Sequence, residues 1–314
     1  MKKSTRLITT FATYAIDKSI GEGGSGIVYS ARGDNGTAFA VNVNTCEITC
    51  DPPHDAALCE RAAALAGQLH LPLRQSLADI ETDIALVVTP WRLELRVLRG
   101  EPTLRGGHPV APDWTGIDVS PGAGGRLSQP IAKAVGRRKG EPPPTVLDAT
   151  GGFGEDAWLL ASLGCRVLCV ERNPVMAALL EDALRRADDA MLPAAQRLRI
   201  LHADALALLS HPDPVNWPPD LLAFGPPDVV YLDPMFPLGR KTVERKPMRV
   251  LRLLAGDDAD AAKLLPAALA IARRRVVVKR PRRAMPLGTT PDVSHAGKAA
   301  RYDVYLPAVD PSAA

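Results

Sequence analysis

Residues 145–172 read TVLDATGGFGEDAWLLASLGCRVLCVER, and their order specifies a strand, a glycine turn, a helix and a second strand. Val146 and Leu147 end a short apolar run that Asp148 closes. Gly151, Gly152 and Gly154 follow in a turn too tight for ordinary side chains, because glycine has no Cβ and reaches positive φ cheaply. Ala157, Leu159, Leu160 and Leu163 recur at helical spacing, Gly164 ends the helix, and Arg166–Val170 is the second strand. Such a βαβ unit is half of a doubly wound sheet. Glu171 stands at the tip of its second strand, where an acid accepts hydrogen bonds from the ribose hydroxyls of a nucleotide-like cofactor. Glu155 and Asp156 occupy the first helical turn. They would repel the pyrophosphate that a dinucleotide rests there, and they suit a cofactor with a cationic amino-acid end. S-adenosylmethionine is therefore favoured over NAD.

A second stretch, DVVYLDPMFP at 228–237, is an apolar strand ending in Asp233-Pro234-Met235-Phe236. A carboxylate and the carbonyls after it can accept hydrogen bonds from an exocyclic amine, and an aromatic ring gives a base a face to stack on. Asp233, Pro234 and Phe236 are the candidate catalytic residues. Asp-Pro also favours a plain turn, which is the competing reading. Between the two stretches, Asn173 and Pro174 open a helix running to about Ala187. LRILH (198–202) is a third strand, and Asp204-Ala205 follows its tip. An acid there can accept the adenine amino group, cap the helix 205–210, or do both. RVVVK (275–279) is a further core strand, and RYDVYL (301–306) pairs back into the sheet. Lys279 and Arg280, at a strand end, are candidates for phosphate or base contacts.

Length and composition bound the rest. The chain has 314 residues, 46% hydrophobic and 23% charged, which suits two globular domains with a large core. No apolar run spans a bilayer and no signal-peptide pattern is evident, so a cytoplasmic protein is expected. Cys46, Cys50, Cys59, Cys165 and Cys169 form no C-x-x-C pair, which argues for free thiols and against a metal centre. Net charge is only +3, but basic residues cluster at Arg137-Arg138-Lys139, Arg240-Lys241, Arg245-Lys246, Arg273–Arg275 and around Lys279. These runs are expected to flank the active site and meet phosphates. LGRKTVERKPMR (238–249) reads as a basic loop able to close over a target base.

Ahead of this core, three regions differ. Residues 14–43 carry Gly21-x-Gly23-x-x-Gly26-x-Val28 and a strand at Phe39-Ala40-Val41, which resembles the first strands of a protein kinase. The lysine position is Asn42 and neither H-R-D nor D-F-G follows, so residues 1–45 read as an appended segment without kinase activity. Residues 46–125 read as a small α/β module. In it AALCERAAALAGQLH (56–70) is an amphipathic helix capped by Asp55, and IALVVTPWRLELRVL (84–98) is two strands, with Leu93, Leu95 and Val97 alternating against a polar face. Residues 126–314 are the Rossmann-like domain, entered through a short helix at 129–135.

DATGGFGEDAWLLASLGCRVLCVERNPV, HADAL, VVYLDPMFP and VVVKRP, in this order, resemble the bacterial small-subunit ribosomal RNA guanine-N2 methyltransferase family, RsmJ. GGRLSQPIAKAVG and ALVVTPWRLELR fit the same pattern, and the resemblance spans roughly residues 46–310. It implies a class I S-adenosylmethionine-dependent methyltransferase acting on the guanine at position 1516 of 16S rRNA, as free RNA or small subunit, without membrane or metal. It implies cofactor contacts at Glu155, Asp156, Glu171, Arg172, Asp204, Ala205 and Asp233, beside Asp148, Gly152 and Gly154 of the turn. Asp204-Ala205 departs from the family's usual pair of small hydroxyl residues. Two other functions stay open on the residues alone. One is an amino-methyltransferase acting on another nucleic-acid base or a protein amide. The other is a nucleotide-binding regulatory module, which ATP binding through Gly23 would reveal.

Overall fold

A computed structural model describes residues 46–117, 127–187, 191–211, 213–235, 245–255 and 261–308, apart from the Asn216 side chain. It also gives 6–8, 13–23, 26–32 and 38–43 as backbone strands. By contacts the chain divides into two units, Met1–Val110 with Glu244–Gly256, and Ala111–Val243 with Asp257–Ala314.

In the first unit, β1 (Arg6–Ile8), β2 (Thr13–Gly23), β3 (Gly26–Arg32) and β4 (Ala38–Val43) pair antiparallel in that order. The kinase-like side chains at Gly21, Gly23, Gly26, Val28 and Asn42 lie outside what is described. The module that follows is a βαβ unit with a hairpin. β5 (Cys46–Cys50) runs parallel to β6 (Ile84–Val88), and β6 pairs antiparallel with β7 (Leu93–Val97). A parallel pair needs a long crossover, and α1 (Ala56–Leu69) supplies it. Asp55 caps α1 by accepting from the Leu58 N–H at 3.0 Å.

The sequence pattern of β7 misleads in one respect. Glu94, assigned to a solvated face, is buried. It accepts from Arg92 Nε at 3.0 Å and Arg96 Nε at 2.8 Å, and Arg96 also reaches Asp51 at 2.5 Å. The arginine stems cover the sheet while their heads satisfy the acid. Glu47 on β5 is the second buried acid. Its carboxylate accepts from Arg74 Nε at 2.8 Å and from the backbone N–H groups of Glu81 and Thr82 at 2.5 and 3.2 Å. Burial works against its ionised form, but Arg74 and the two N–H groups outweigh it and hold the carboxyl below its ordinary value.

The second unit begins with α2 (Pro130–Ala134), then β8 (Thr145–Asp148), α3 (Glu155–Ser162), β9 (Arg166–Glu171), α4 (Pro174–Arg185), α5 (Leu192–Ala195) and β10 (Leu198–His202). α6 (Ala205–Leu209), α7 (Pro219–Phe224) and β11 (Val229–Leu232) follow. α7 stands where the proline-rich sequence suggested only a loop. α8 (Lys246–Ala255) belongs to the first unit. There Lys246 donates to the Gly106 and His108 carbonyls, and Arg249 pairs with Glu101 and Thr103. The end of the expected basic loop is thus a helix bound to the 101–108 segment; residues 236–244 lie outside the description. α9 (Ala261–Ile271), β12 (Arg275–Pro281), β13 (Val293–Ala296) and β14 (Ala300–Tyr305) complete the second unit.

Its seven strands lie in the order β10-β9-β8-β11-β12-β14-β13, with the first five mutually parallel. Alternate residues go to opposite faces. Val146, Val167, Val229, Tyr231 and Val277 pack with α2, α3, α4 and α5. Leu147, Leu168, Val230, Val276 and Val278 pack with α6, α7 and α9. Covering both faces is what makes parallel strands read as unbroken apolar runs. The strand order reverses beside β8, so the crevice at the carboxyl ends of β8, β9 and β11 is where such a sheet takes a ligand.

Replacing Glu47 by Ala removes the shared acceptor of the Glu81 and Thr82 N–H groups and leaves Arg74 only its exposed partner Glu81. It should lower the denaturant stability of the first unit by roughly 2–3 kcal/mol. A change below about 0.5 kcal/mol would mean that the buried network is not what secures β5.

Candidate active site

The parallel register sets the site. Leu232 pairs with Val278, so Asp233 and Lys279 emerge side by side from β11 and β12. Tyr231 pairs with Asp148, and the Ala149 N–H donates to the Tyr231 carbonyl at 3.0 Å, which ties the glycine turn to β11. Alternation points Tyr231 and Lys279 at the α3 face, where Asp156 waits in the first helical turn. The Tyr231 hydroxyl donates to Asp156 Oδ2 at 2.7 Å. Lys279 Nζ lies 2.6 Å from the same oxygen and 2.9 Å from Asp233 Oδ2. One ammonium therefore bridges two carboxylates. Burial alone would depress Lys279, but Asp233 and Asp156 more than offset it and hold the ammonium above its ordinary value. Tyr231 is fully buried, and burial together with the two acids keeps its phenol protonated far above neutral pH.

Arg280 does not join Lys279 at the acids. One residue beyond Lys279, it turns to the opposite face, is buried, and donates Nε and Nη2 to the Met285 carbonyl at 2.9 and 2.6 Å. In the structure it braces the segment after β12. Pro234 is buried, Met235 is half-buried, and Phe236 lies outside the described residues.

The glycine turn is held from three sides. Gly154 has φ +71°, and a Cβ there would fall 2.8 Å from Leu180 and 3.0 Å from Trp114. Trp114 stacks on Trp158 with ring centroids 4.7 Å apart and donates to the Phe153 carbonyl at 3.0 Å. Glu171 is buried and accepts from the Gly152 N–H at 2.8 Å and the Asn173 N–H at 2.7 Å. Thr150 accepts from the Asp233 N–H at 2.6 Å, and its own N–H and hydroxyl reach Asp148 Oδ1 at 3.0 and 3.3 Å. Asp148 is buried. That burial raises its carboxyl to about 7 despite the bonds from Thr150, and the charges of Asp156 and Asp233 add to the rise. Glu155 and Arg172 are exposed. Asp204 accepts from the Ala207 N–H at 2.9 Å and so caps α6, with Ala205 buried behind it.

Asp148, Asp156, Glu171, Asp204 and Asp233 thus gather on the carboxyl edge of one sheet. Thr150, Tyr231 and Trp114 were missed. A tyrosine within an aliphatic strand signals a buried hydroxyl that needs a partner, and Thr150 is the one hydroxyl in the turn. Trp114 carries no comparable signal, because its partner lies far along the chain.

The family described as putative SAM-dependent methyltransferase matches residues 67–307. Ribosomal RNA small subunit methyltransferase J of Coxiella burnetii is 42% identical over 272 residues, covering 84% of this chain and 97% of that protein. The protein of the same name from Stutzerimonas stutzeri is 44% identical over 256 residues, covering 77% and 91%. The crystal structure of a SAM-dependent methyltransferase from Neisseria gonorrhoeae aligns with TM-score 0.60 and 30% identity, covering 85% of this chain and 98% of that one.

Because Asp148 titrates near 7 when folded and near its ordinary 3.8 when unfolded, the native state holds a proton between those values that the unfolded chain has lost. Its contribution to stability therefore falls as pH rises from about 4 to 7, by at most about 4 kcal/mol. Asp148→Asn should flatten that slope in denaturant titrations across the window. An unchanged slope would show that the carboxyl is ionised throughout.

Proposed function

The chain belongs to the ribosomal RNA small subunit methyltransferase J family, and on that premise we propose that it methylates the exocyclic N2 amine of a guanine in 16S rRNA, at position 1516 of that RNA. It is an S-adenosylmethionine-dependent rRNA methyltransferase. The observation that carries the finer reading is the Asp156–Lys279–Asp233 bridge at the end of β11.

The residues on the carboxyl edge fit the cofactor. It carries an ammonium and a sulfonium but no phosphate, and the edge offers carboxylates at Asp156, Glu171, Asp204 and Asp233, with the buried Asp148 carboxyl at the base of the turn. Glu171, at the tip of β9, is the acceptor for the ribose hydroxyls, since a carboxylate has about four lone-pair sites. Gly152, Gly154 and Glu155 border the turn, with Arg172 and Ala205 beside the acids. When bound, S-adenosylmethionine supplies an electrophilic methyl group on a sulfonium.

A guanine N2 is a poor nucleophile because its lone pair is delocalised into the ring. Asp233 accepts a hydrogen bond from that amine, the Pro234 carbonyl accepts a second, and Phe236 stacks on the base. These acceptors raise electron density on nitrogen as the methyl arrives and hold the amine in line. The Asp233 side chain is 38% exposed, enough to meet an incoming base. Lys279 fixes that carboxylate, and Tyr231 and Asp156 fix Lys279. No strong base is needed beforehand, since the nitrogen proton becomes acidic once the methyl is attached. We place catalysis in residues 126–314, with 46–125 as an accessory module and 1–45 as an appended segment.

No helix among the described residues is long and apolar enough to cross a membrane. We read the enzyme as cytoplasmic, acting on the free rRNA or the small subunit without a metal.

Transfer of label from S-adenosylmethionine to unmethylated small subunits, free 16S rRNA and duplex DNA tests the reading. Label should appear on guanine N2 in rRNA, and Asp233→Ala should lower kcat by about 10²- to 10⁴-fold with cofactor binding kept. Lys279→Met should lower kcat and move the pH profile, because the two carboxylates then face each other unbridged, and Lys279→Arg should restore part of it. Label on DNA would favour the alternative, an amino-methyltransferase of other bases. Label surviving Asp233→Ala would remove the assigned acceptor.

A further inference from the structure

The basic runs Arg137-Arg138-Lys139 and Arg273–Arg275 do not flank the active site. Arg275 opens β12 and Lys279 stands four residues along the same strand, which places them about 13 Å apart at opposite edges of the sheet. At the amino edge, Lys133, Arg137, Arg138, Lys139 and Arg275 line a cavity of roughly 400 Å³ together with Leu127 and Gly136. Two pieces of chain distant in sequence converge there: the stretch 127–139, which holds α2 and the loop after it, and the start of β12.

The cavity is built, not incidental. Gly136 has φ +76°, which favours glycine, and a Cβ on it would lie 3.1 Å from the Arg275 guanidinium, so that side chain lies close against the loop. Arg275 donates Nη1 to the Ala134 carbonyl at 3.2 Å, while its Nε is buried without a hydrogen-bond partner. Arg137 is fixed by the Leu163 and Glu141 carbonyls at 2.9 and 3.2 Å. Among the described residues the one ion pair at the cavity is Arg138–Glu141, at 3.4 Å and on exposed side chains. Among the described residues, five cations thus share a concave space whose one ion-paired acid, Glu141, is exposed and engages only Arg138. Burial, then Lys133 and Arg275, push His295 on the neighbouring β13 below its ordinary value, so the excess positive field is felt by the surroundings.

We propose that this amino-edge cavity binds a backbone phosphate of the RNA substrate, at a point remote from the base being methylated. The proposal rests on the rRNA reading above. The cofactor has no phosphate and belongs to the acid-rich opposite edge, whereas RNA carries a phosphate at every nucleotide. Gathering cations around an empty space costs free energy that an anion returns, and a guanidinium with an unused Nε–H is suited to a phosphate oxygen. Contacts at both edges would fix the orientation of the RNA without reading its sequence.

The test uses the full chain and the double variant Lys133→Gln/Lys139→Gln, whose exposed side chains are not needed for folding, with Arg275→Gln as a second variant. Binding to unmethylated 16S rRNA is measured from about 50 to 200 mM salt. The double variant should lose about one to two from the slope of log affinity against log salt, and KM for RNA should rise roughly five- to twentyfold. Its kcat at saturating RNA and its cofactor affinity should stay at wild-type values. An unchanged slope and KM would overturn the proposal. Calorimetry with inorganic pyrophosphate as probe separates the two sources of phosphate. Binding of that probe, lost in the variants while the RNA slope stays intact, would mean a site for a free anion and would also overturn the RNA assignment. A wild type that binds RNA with the expected slope change in the variants but methylates no guanine would remove the N2 reading and leave the cavity assignment standing.

Discussion

One ammonium between two carboxylates organises the carboxyl edge of the seven-stranded sheet. Asp156 comes from the helix of the first βαβ unit, Asp233 from the end of β11, and Lys279 from the end of β12. Two adjacent acids on a partly buried edge would repel each other and favour protonation. Lys279 removes that conflict and ties α3, β11 and β12 together at their meeting point. The buried Tyr231 hydroxyl adds a second donor on Asp156 beside Lys279, so the helix start, both strands and the lysine form one continuous network. Such a network is rigid only when every member is satisfied.

The glycine turn depends on the same edge. Its carbonyl-side contact runs through Ala149 to β11, its Thr150 hydroxyl accepts from the Asp233 N–H, and its Gly152 N–H is taken by Glu171. Glu171 and Asp204 therefore have structural tasks even before a ligand arrives, as turn anchor and helix cap. In a doubly wound sheet these roles coincide, because strand tips, helix starts and ligand share one crevice. The sheet is also electrostatically polar: acids crowd its carboxyl edge, while Lys133, Arg137, Arg138, Lys139 and Arg275 crowd its amino edge. The two edges therefore present fields of opposite sign from one unit.

Much of this was legible locally. The 145–172 stretch folds as read because each of its signals acts within a few residues: an apolar run, glycines, helical spacing, another apolar run. The Asp55, Asn173 and Asp204 caps were readable for the same reason. The readings that failed needed knowledge of what lies across the fold. Glu94 looked solvated from the alternation of β7, yet Arg92 and Arg96 cover it. Arg280 looked like a partner of Lys279, but strand alternation sends it to the other face, onto Met285. Lys246 and Arg249 looked like a mobile basic loop and instead hold the 101–108 segment from a helix.

By itself, then, the sequence determined the doubly wound class, the cofactor edge and the order of the strands along the chain, because these follow from short-range patterning and from glycine's backbone freedom. Tertiary structure alone decided which charges meet. The parallel register of β11 with β12 sets Lys279 beside Asp233, and the packing of α3 brings Asp156 to the same nitrogen across 123 residues of chain. It likewise split the basic runs between two edges, since four residues of extended strand carry Arg275 and Lys279 to opposite ends of the sheet. Spacing along a chain fixes the face of an element; only the pairing of elements fixes the partner.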